Sequence, residues 1–352
     1  MAKNFTHKWG RFFAVAALLI IVILSNFFIG NRIDPGSGLS KRQGSLERYE
    51  SPDTGISLSL HLSGKDAWGF LEWPEKRLYG FFSGRVEGRE LRAFIRSAGA
   101  SPLMVLTRTR PAGRVELRFS GGKGLEGSFR MIRQDRLGLG LGVFSGKMDE
   151  DESSFHVAAI RSLSRPDEAR LDVALRRGMS PLAYARSQWE AFRGRRTALS
   201  EASRWPFDFI ERNCLVATFS SLWSVAAERY VFEGGAHGNT SLVLRVIDTV
   251  TGRTLGAKDI FLEGWEEKLA PLLEAEALRL FRATRSREAP GQDAGLRKYG
   301  FFEDRIKPSL ALFLCKSGVG FHYDRYRLAP YSEGDFTFVI PWKDLEGLIR
   351  SF

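Results

Sequence analysis

Two of the five histidines in this 352-residue sequence stand in unusual surroundings, and they frame the chemistry the chain could perform. His237 closes the segment Tyr230-Val231-Phe232-Glu233-Gly234-Gly235-Ala236-His237-Gly238. His322 lies in Gly318-Val319-Gly320-Phe321-His322-Tyr323-Asp324-Arg325-Tyr326-Arg327-Leu328-Ala329-Pro330-Tyr331. Imidazoles joined by the carboxylate of Glu233 or Asp324 would be a zinc-ligand set and could serve a metal-dependent hydrolase. No His pair at i,i+4 supports that arrangement, and a turn histidine bonded to backbone accounts for His237 more simply. Other catalytic routes lack their parts: there is no G-x-S-x-G, no cysteine in a supporting motif and no phosphate-cradling glycine loop. The chain is therefore read as noncatalytic, without metal or cofactor.

Binding is the better use of these residues. Gly234 and Gly235 make a backbone-permissive turn in which positive φ is available and a ligand or second chain can approach Tyr230 closely. Tyr323, Tyr326 and Tyr331 could stack on sugar rings or anchor a protein interface. They could equally fill a seam between a sheet and the last helix. Cys214 and Cys315, the two cysteines, both fall in apolar runs. They could bridge a loop of about 100 residues, worth about 4–5 kcal/mol in the chain-entropy model, or lie apart as buried thiols.

The elements that must position these residues divide the chain. Residues 30–54, rich in Gly, Ser, Pro and charge, read as a linker. Over 55–160 apolar and polar residues alternate, as in Leu91, Ala93, Ile95 and in Val115, Leu117, Phe119, with glycines in the breaks. That pattern predicts a small antiparallel meander or barrel. Residues 161–206 hold a helix, capped by Ser180 with Pro181 in its first turn, and a connection after Arg193-Gly194-Arg195-Arg196. Its inner face is Leu182, Ala185, Trp189 and Phe192. From 207 to 352 the periods mix: strands over 214–230, 241–247, 310–315, 319–323 and 336–340, and a helical stripe of Leu269, Leu272, Leu273, Leu280 and Phe281. Pro271 must sit in the first turn of that helix or kink it. Pro341 opens a short terminal helix with Trp342, Leu345 and Ile349 on one side. The fold class is an α+β C-terminal domain after a mainly antiparallel β domain.

Residues 12–29 form an apolar run broken only by Ser25 and Asn26, about 27 Å long as a helix and near the thickness of a bilayer's hydrocarbon. No small-residue cleavage pattern follows, so the run reads as an uncleaved signal anchor held by membrane lipid. Residues 1–11 would be a short cytoplasmic tail. Lys3, Lys8 and Arg11 precede the run while Arg32, Lys41 and Arg42 follow it, so charge alone does not set its orientation. The net charge of +11 is uneven: residues 201–352 carry 20 basic and 21 acidic side chains and have no field to attract nucleic acid. The basic excess lies nearer the anchor, where anionic lipid or wall polymer could meet it.

The Tyr230–Gly238 and Gly318–Tyr331 segments, with Ile247-Asp248, Thr251-Gly252 and Ile340-Pro341-Trp342, resemble one family over about 205–352. It is the extracytoplasmic domain of unknown function at the C-terminus of RsiV-type anti-sigma factors, also attached to some peptidoglycan deacetylases. The resemblance implies a noncatalytic envelope domain outside the membrane, periplasmic or at the cell surface, of a kind that recognises lysozyme; the expected partner of this chain is a lysozyme-type protein or a wall glycan. Residues 1–11 are too few to fold around a sigma factor, and deacetylase-type metal spacing is absent. The rival expectations are a metal-dependent wall-modifying hydrolase using His237 and His322, and a purely structural envelope component.

Overall fold

The computed structural model describes residues 38–350 apart from 97–101, 110–112, 121–124, 135–137, 149–151, 200–204 and 285–294. The apolar run 12–29 lies outside them; among the described residues no helix is long and apolar enough to cross a membrane.

Eight strands come first: β1 (Leu39–Glu50), β2 (Ser57–Ser63), β3 (Asp66–Trp73), β4 (Leu78–Glu87), β5 (Glu90–Arg96), β6 (Leu103–Arg108), β7 (Arg114–Ser120) and β8 (Gly127–Arg133). Each pairs antiparallel with the next, and β8 returns to β1 through Tyr49↔Arg133 and Glu50↔Ile132, closing a barrel. Its interior is packed rather than hollow: Leu60, Phe82, Ile95, Met104, Leu117 and Met131 are among the side chains that fill it. Eight strands enclose just enough space for such side chains. β5 and β7 alternate buried and outward residues because only one face is covered. β3 does not alternate, because Trp68 and Phe70 on its outer face are buried against a second sheet.

That sheet adds β9 (Leu139–Lys147), β10 (Ser154–Ser162), β11 (Asp208–Phe219), β12 (Leu222–Phe232), β13 (Asn239–Asp248) and β14 (Thr254–Leu255). β1 belongs to both structures: Leu39 to Gly44 pair with β9, and Ser45 to Glu50 pair with β2. A Cβ at Gly44 would lie 2.5 Å from the Leu62 carbonyl, so the switch between sheets needs glycine. β10 and β11 are parallel, which demands a crossover. It consists of α1 (Arg165–Arg176) and α2 (Pro181–Leu199). Ala185, Trp189 and Phe192 of α2 pack on Phe155 and Phe209, whose rings stack at 5.2 Å.

A third layer follows the single turn α3 (Ala257–Ile260) and the helix α4 (Trp265–Thr284): the antiparallel sheet of β15 (Leu312–Cys315), β16 (Gly318–Tyr323) and β17 (Phe336–Pro341). Phe313, Cys315 and Val339 face the second sheet and the barrel wall, while Leu312, Leu314, Phe336 and Phe338 face α4. Leu269, Leu273, Ala277 and Phe281 recur at i,i+4 and make the buried stripe of α4. The whole is rich in β structure with helices on two sides.

Several local expectations change. Residues 39–50, linker-like in composition, form β1. The stretch 214–230 is not one strand but the hairpin β11–β12, turning at Ser220 with φ of 41°. α2 continues through Gly194 to Leu199, and α1, absent from the sequence reading, precedes it. Pro271 sits inside α4, in its second turn rather than its first. The terminal helix is a single 3-10 turn over Trp342–Leu345, and Ile349 instead bridges to Phe261.

Candidate functional site

The glycine turn and the aromatic segment, far apart in sequence, meet at the surface. β12 and β13 splay into the turn 233–238, where Gly234 and Gly235 take φ of 94° and 98°. Gly238 then passes so close over Tyr230 that a Cβ there would stand 2.3 Å from its ring. This fixes His237 at the outer end of the hairpin, exposed, with Nδ1 3.2 Å from the Gly238 carbonyl. The His237 ring stacks on Tyr331, centroids 4.7 Å apart and planes at 25°. Its Nδ1 also lies 3.3 Å from the Tyr331 hydroxyl, across 94 residues of chain.

Tyr331 is the hub. Arg325 lays its guanidinium over the ring at 4.6 Å and donates from Nη1 to the hydroxyl at 2.5 Å. Tyr326 stands 5.4 Å from Tyr331 and is 64% exposed. Its φ of 65° is strained for a bulky residue, and the strain turns a large ring outward at the tip of the loop. Cation, imidazole and two phenols thus make one exposed aromatic platform, of the composition found at binding hot spots.

The other expected residues support this platform from below. His322 in β16 is buried; its Nδ1 meets Thr337 Oγ1 at 3.1 Å and its Nε2 meets Asp324 Oδ1 at 3.3 Å. The His322 contact, helped by the Leu242 backbone and by Arg327, holds the Asp324 carboxyl below its usual range. Asp324 is therefore a tether between the start of the aromatic loop and β16. Tyr323 is buried too, and its hydroxyl donates to the Lys307 carbonyl and accepts from the Ser309 amide. Burial pushes that hydroxyl's pKa up. So Tyr323 fills the core while Tyr326 and Tyr331 reach the surface.

The histidines do not converge on a metal. His322 is spent on Thr337 and Asp324, and Glu233 pairs with Arg195 at 3.1 Å. Among the described residues no group of three or more His, Cys, Asp or Glu side chains is placed to hold an ion. Cys214 and Cys315 are free and buried, and the bridge the sequence left open is not formed. Burial, first among the causes, raises both thiol pKa values.

Arg325 is the participant the sequence reading did not single out. Its signal was present: a lone arginine six residues before a tyrosine across a Pro330 bend can fold back over the ring. A second polar cluster carries no comparable signal. Tyr184 and Arg229 both bond Glu211, at 2.8 Å and 2.6 Å, and the three satisfy one another.

Residues 258–343 match the model of a family described as a protein of unknown function, DUF3298. The matched stretch includes His322, Tyr323, Tyr326 and Tyr331 but not the turn carrying His237. No protein with curated annotation matches. Two solved structures are similar. One is a DUF3298-family member from Bacteroides fragilis, at 19% identity over 58% of this chain and 88% of that one, with a TM-score of 0.45. The other is a DUF3298-family protein from Pseudomonas aeruginosa PAO1, at 19% identity over 61% and 95%, with a TM-score of 0.46.

Proposed function

We propose that this chain is a membrane-tethered envelope protein that binds an extracytoplasmic partner, without catalysis, through the platform of His237, Arg325, Tyr326 and Tyr331. The apolar run 12–29 would place the folded part outside the bilayer, where the RsiV-like resemblance suggests a lysozyme-type protein as the partner and the aromatic rings suit a wall glycan as well. One observation carries the reading: two distant segments are brought together so that exposed His237 and Tyr326 flank a half-buried Tyr331, which stacks on the imidazole and lies under the Arg325 guanidinium. A core has no use for Tyr326 held outward at 64% exposure. A docking partner does, because burying such a ring contributes about 1.5–3 kcal/mol.

The test uses the full-length chain in detergent micelles, offered purified cell wall and a panel of muramidases. Binding should weaken about tenfold or more in Tyr326→Ala, as expected for a hot-spot ring. Tyr331→Phe keeps the stack but removes the hydroxyl shared by Arg325 and His237, and should cost less. Undiminished binding in the double variant His237→Ala/Tyr326→Ala would refute the platform.

A further inference from the structure

Behind the aromatic loop lies a recess of about 230 Å³. Its wall is apolar: Phe302, 48% exposed, Leu328 and the ring of Tyr323. The Phe302 amide donates to the Leu328 carbonyl at 2.9 Å, so this wall is fixed to the loop 324–330 that carries the platform. The polar groups of the floor are already used, since the Tyr323 hydroxyl has both a donor and an acceptor partner. That hydroxyl is therefore not free to bind a hydroxyl-rich ligand. The rim is different. Arg305, Lys307 and Arg327 stand at the mouth against a single carboxylate, Glu303. Among the described residues none of the three cations forms an ion pair, although Arg327 acts on the Asp324 carboxyl at longer range, and the neighbouring Asp304 carboxylate faces Arg297.

An apolar floor under a ring of unpaired cations suits one kind of visitor. We propose that the recess receives an apolar side chain flanked by carboxylates, presented by an acidic segment of the protein partner. This rests on the platform reading and deepens it, because the two features share the loop 324–330. It also selects among partners. The cationic rim repels a strongly basic muramidase and attracts an acidic protein, and like charges brought together at an interface oppose docking. A glycan is disfavoured because its ring hydroxyls would lose water and gain no partner on the floor.

The test measures fluorescence anisotropy of labelled peptides with the full-length chain in uncharged detergent. The probes are Glu-Glu-Phe-Glu-Glu, its counterpart with Gly for Phe, and Lys-Lys-Phe-Lys-Lys. The first should bind, the second about tenfold more weakly, and the third not at all; about a tenfold rise in salt should weaken the first several-fold. The triple variant Arg305→Glu/Lys307→Glu/Arg327→Glu should abolish binding, and the three side chains are exposed, so the fold tolerates the change. Arg305→Lys/Arg327→Lys, which keeps the charge, should retain it. Equal binding of the Gly and Phe peptides would mean a bare polyanion effect and overturn the proposal, as would binding of the lysine peptide. If the triple variant still captures the partner that Tyr326→Ala loses, the recess inference fails and the platform stands. The opposite pattern would sink the platform reading instead.

Discussion

His61 gives a sharp handle on the joint between the barrel and the second sheet. It projects from the outer face of β2, fully buried, with Nε2 accepting the Leu215 amide at 3.0 Å and the ring stacked on Trp68 at 5.8 Å. Burial lowers its pKa from 6.5 to about 3. His156 on β10 is lowered to about 4, by burial and then by the charge of Arg212. In the folded chain both stay neutral down to those values, whereas in the unfolded chain both take up protons below about pH 6.5. The unfolded state therefore binds more protons as pH falls, and stability declines by about 1.4 kcal/mol per histidine per pH unit. From neutrality to about pH 5 each costs about 2 kcal/mol and the pair about 4 kcal/mol. His61→Phe removes one of the two and should halve the slope between about pH 6.5 and about pH 5. It adds a pH-independent loss of about 1–3 kcal/mol from the unpaired Leu215 amide. Urea unfolding followed by tryptophan fluorescence at several pH values reads both quantities. An unchanged slope in His61→Phe would show that this imidazole is not buried neutral at the joint.

Three further outcomes follow from packing. Gly238→Ala forces a methyl into the Tyr230 ring and should destabilise by about 1–3 kcal/mol, read by urea unfolding, while weakening partner binding because His237 is displaced. Leu273→Ala empties the fully buried centre of the α4 stripe and should cost about 2–5 kcal/mol by the same measurement. Cys214 and Cys315, buried with raised pKa values, should resist iodoacetamide in the native chain under oxidising or reducing conditions alike and label fully in denaturant, as mass spectrometry would show.

Legibility in the sequence followed how many faces of an element are covered. β5 and β7 were visible as period-two strands because one face meets the barrel interior and the other meets water. β1 hid as a linker because only Leu39, Glu47 and Tyr49 of its residues are buried, and one of those is a carboxylate. That carboxylate is held by Tyr49, whose hydroxyl donates to it at 2.5 Å. α1 escaped for a similar reason. Its inward residues are Leu171 and Arg176, and an arginine gives no apolar stripe even when, as here, it is 1% exposed and donates to the Ile160 carbonyl at 2.7 Å. At the candidate site the residue types were readable but their roles were not. Periodicity cannot say that Tyr323 points inward and Tyr326 outward, because β16 is buried on both faces and ends at Tyr323, before the left-handed turn that turns Tyr326 out. Nor could it show that His322 and His237 serve different layers.

The double membership of β1 has a mechanical consequence. A tug along this strand's axis from its N-terminal end would load its ladders to β9 and β2 sideways, one half of the strand after the other. Sideways loading makes the rungs share the force, whereas a hairpin pulled from its open end unzips one rung at a time. The first strand is thus stitched so that tension from the N-terminal side meets the second sheet first, through Leu39 to Gly44, and the barrel behind it, through Ser45 to Glu50.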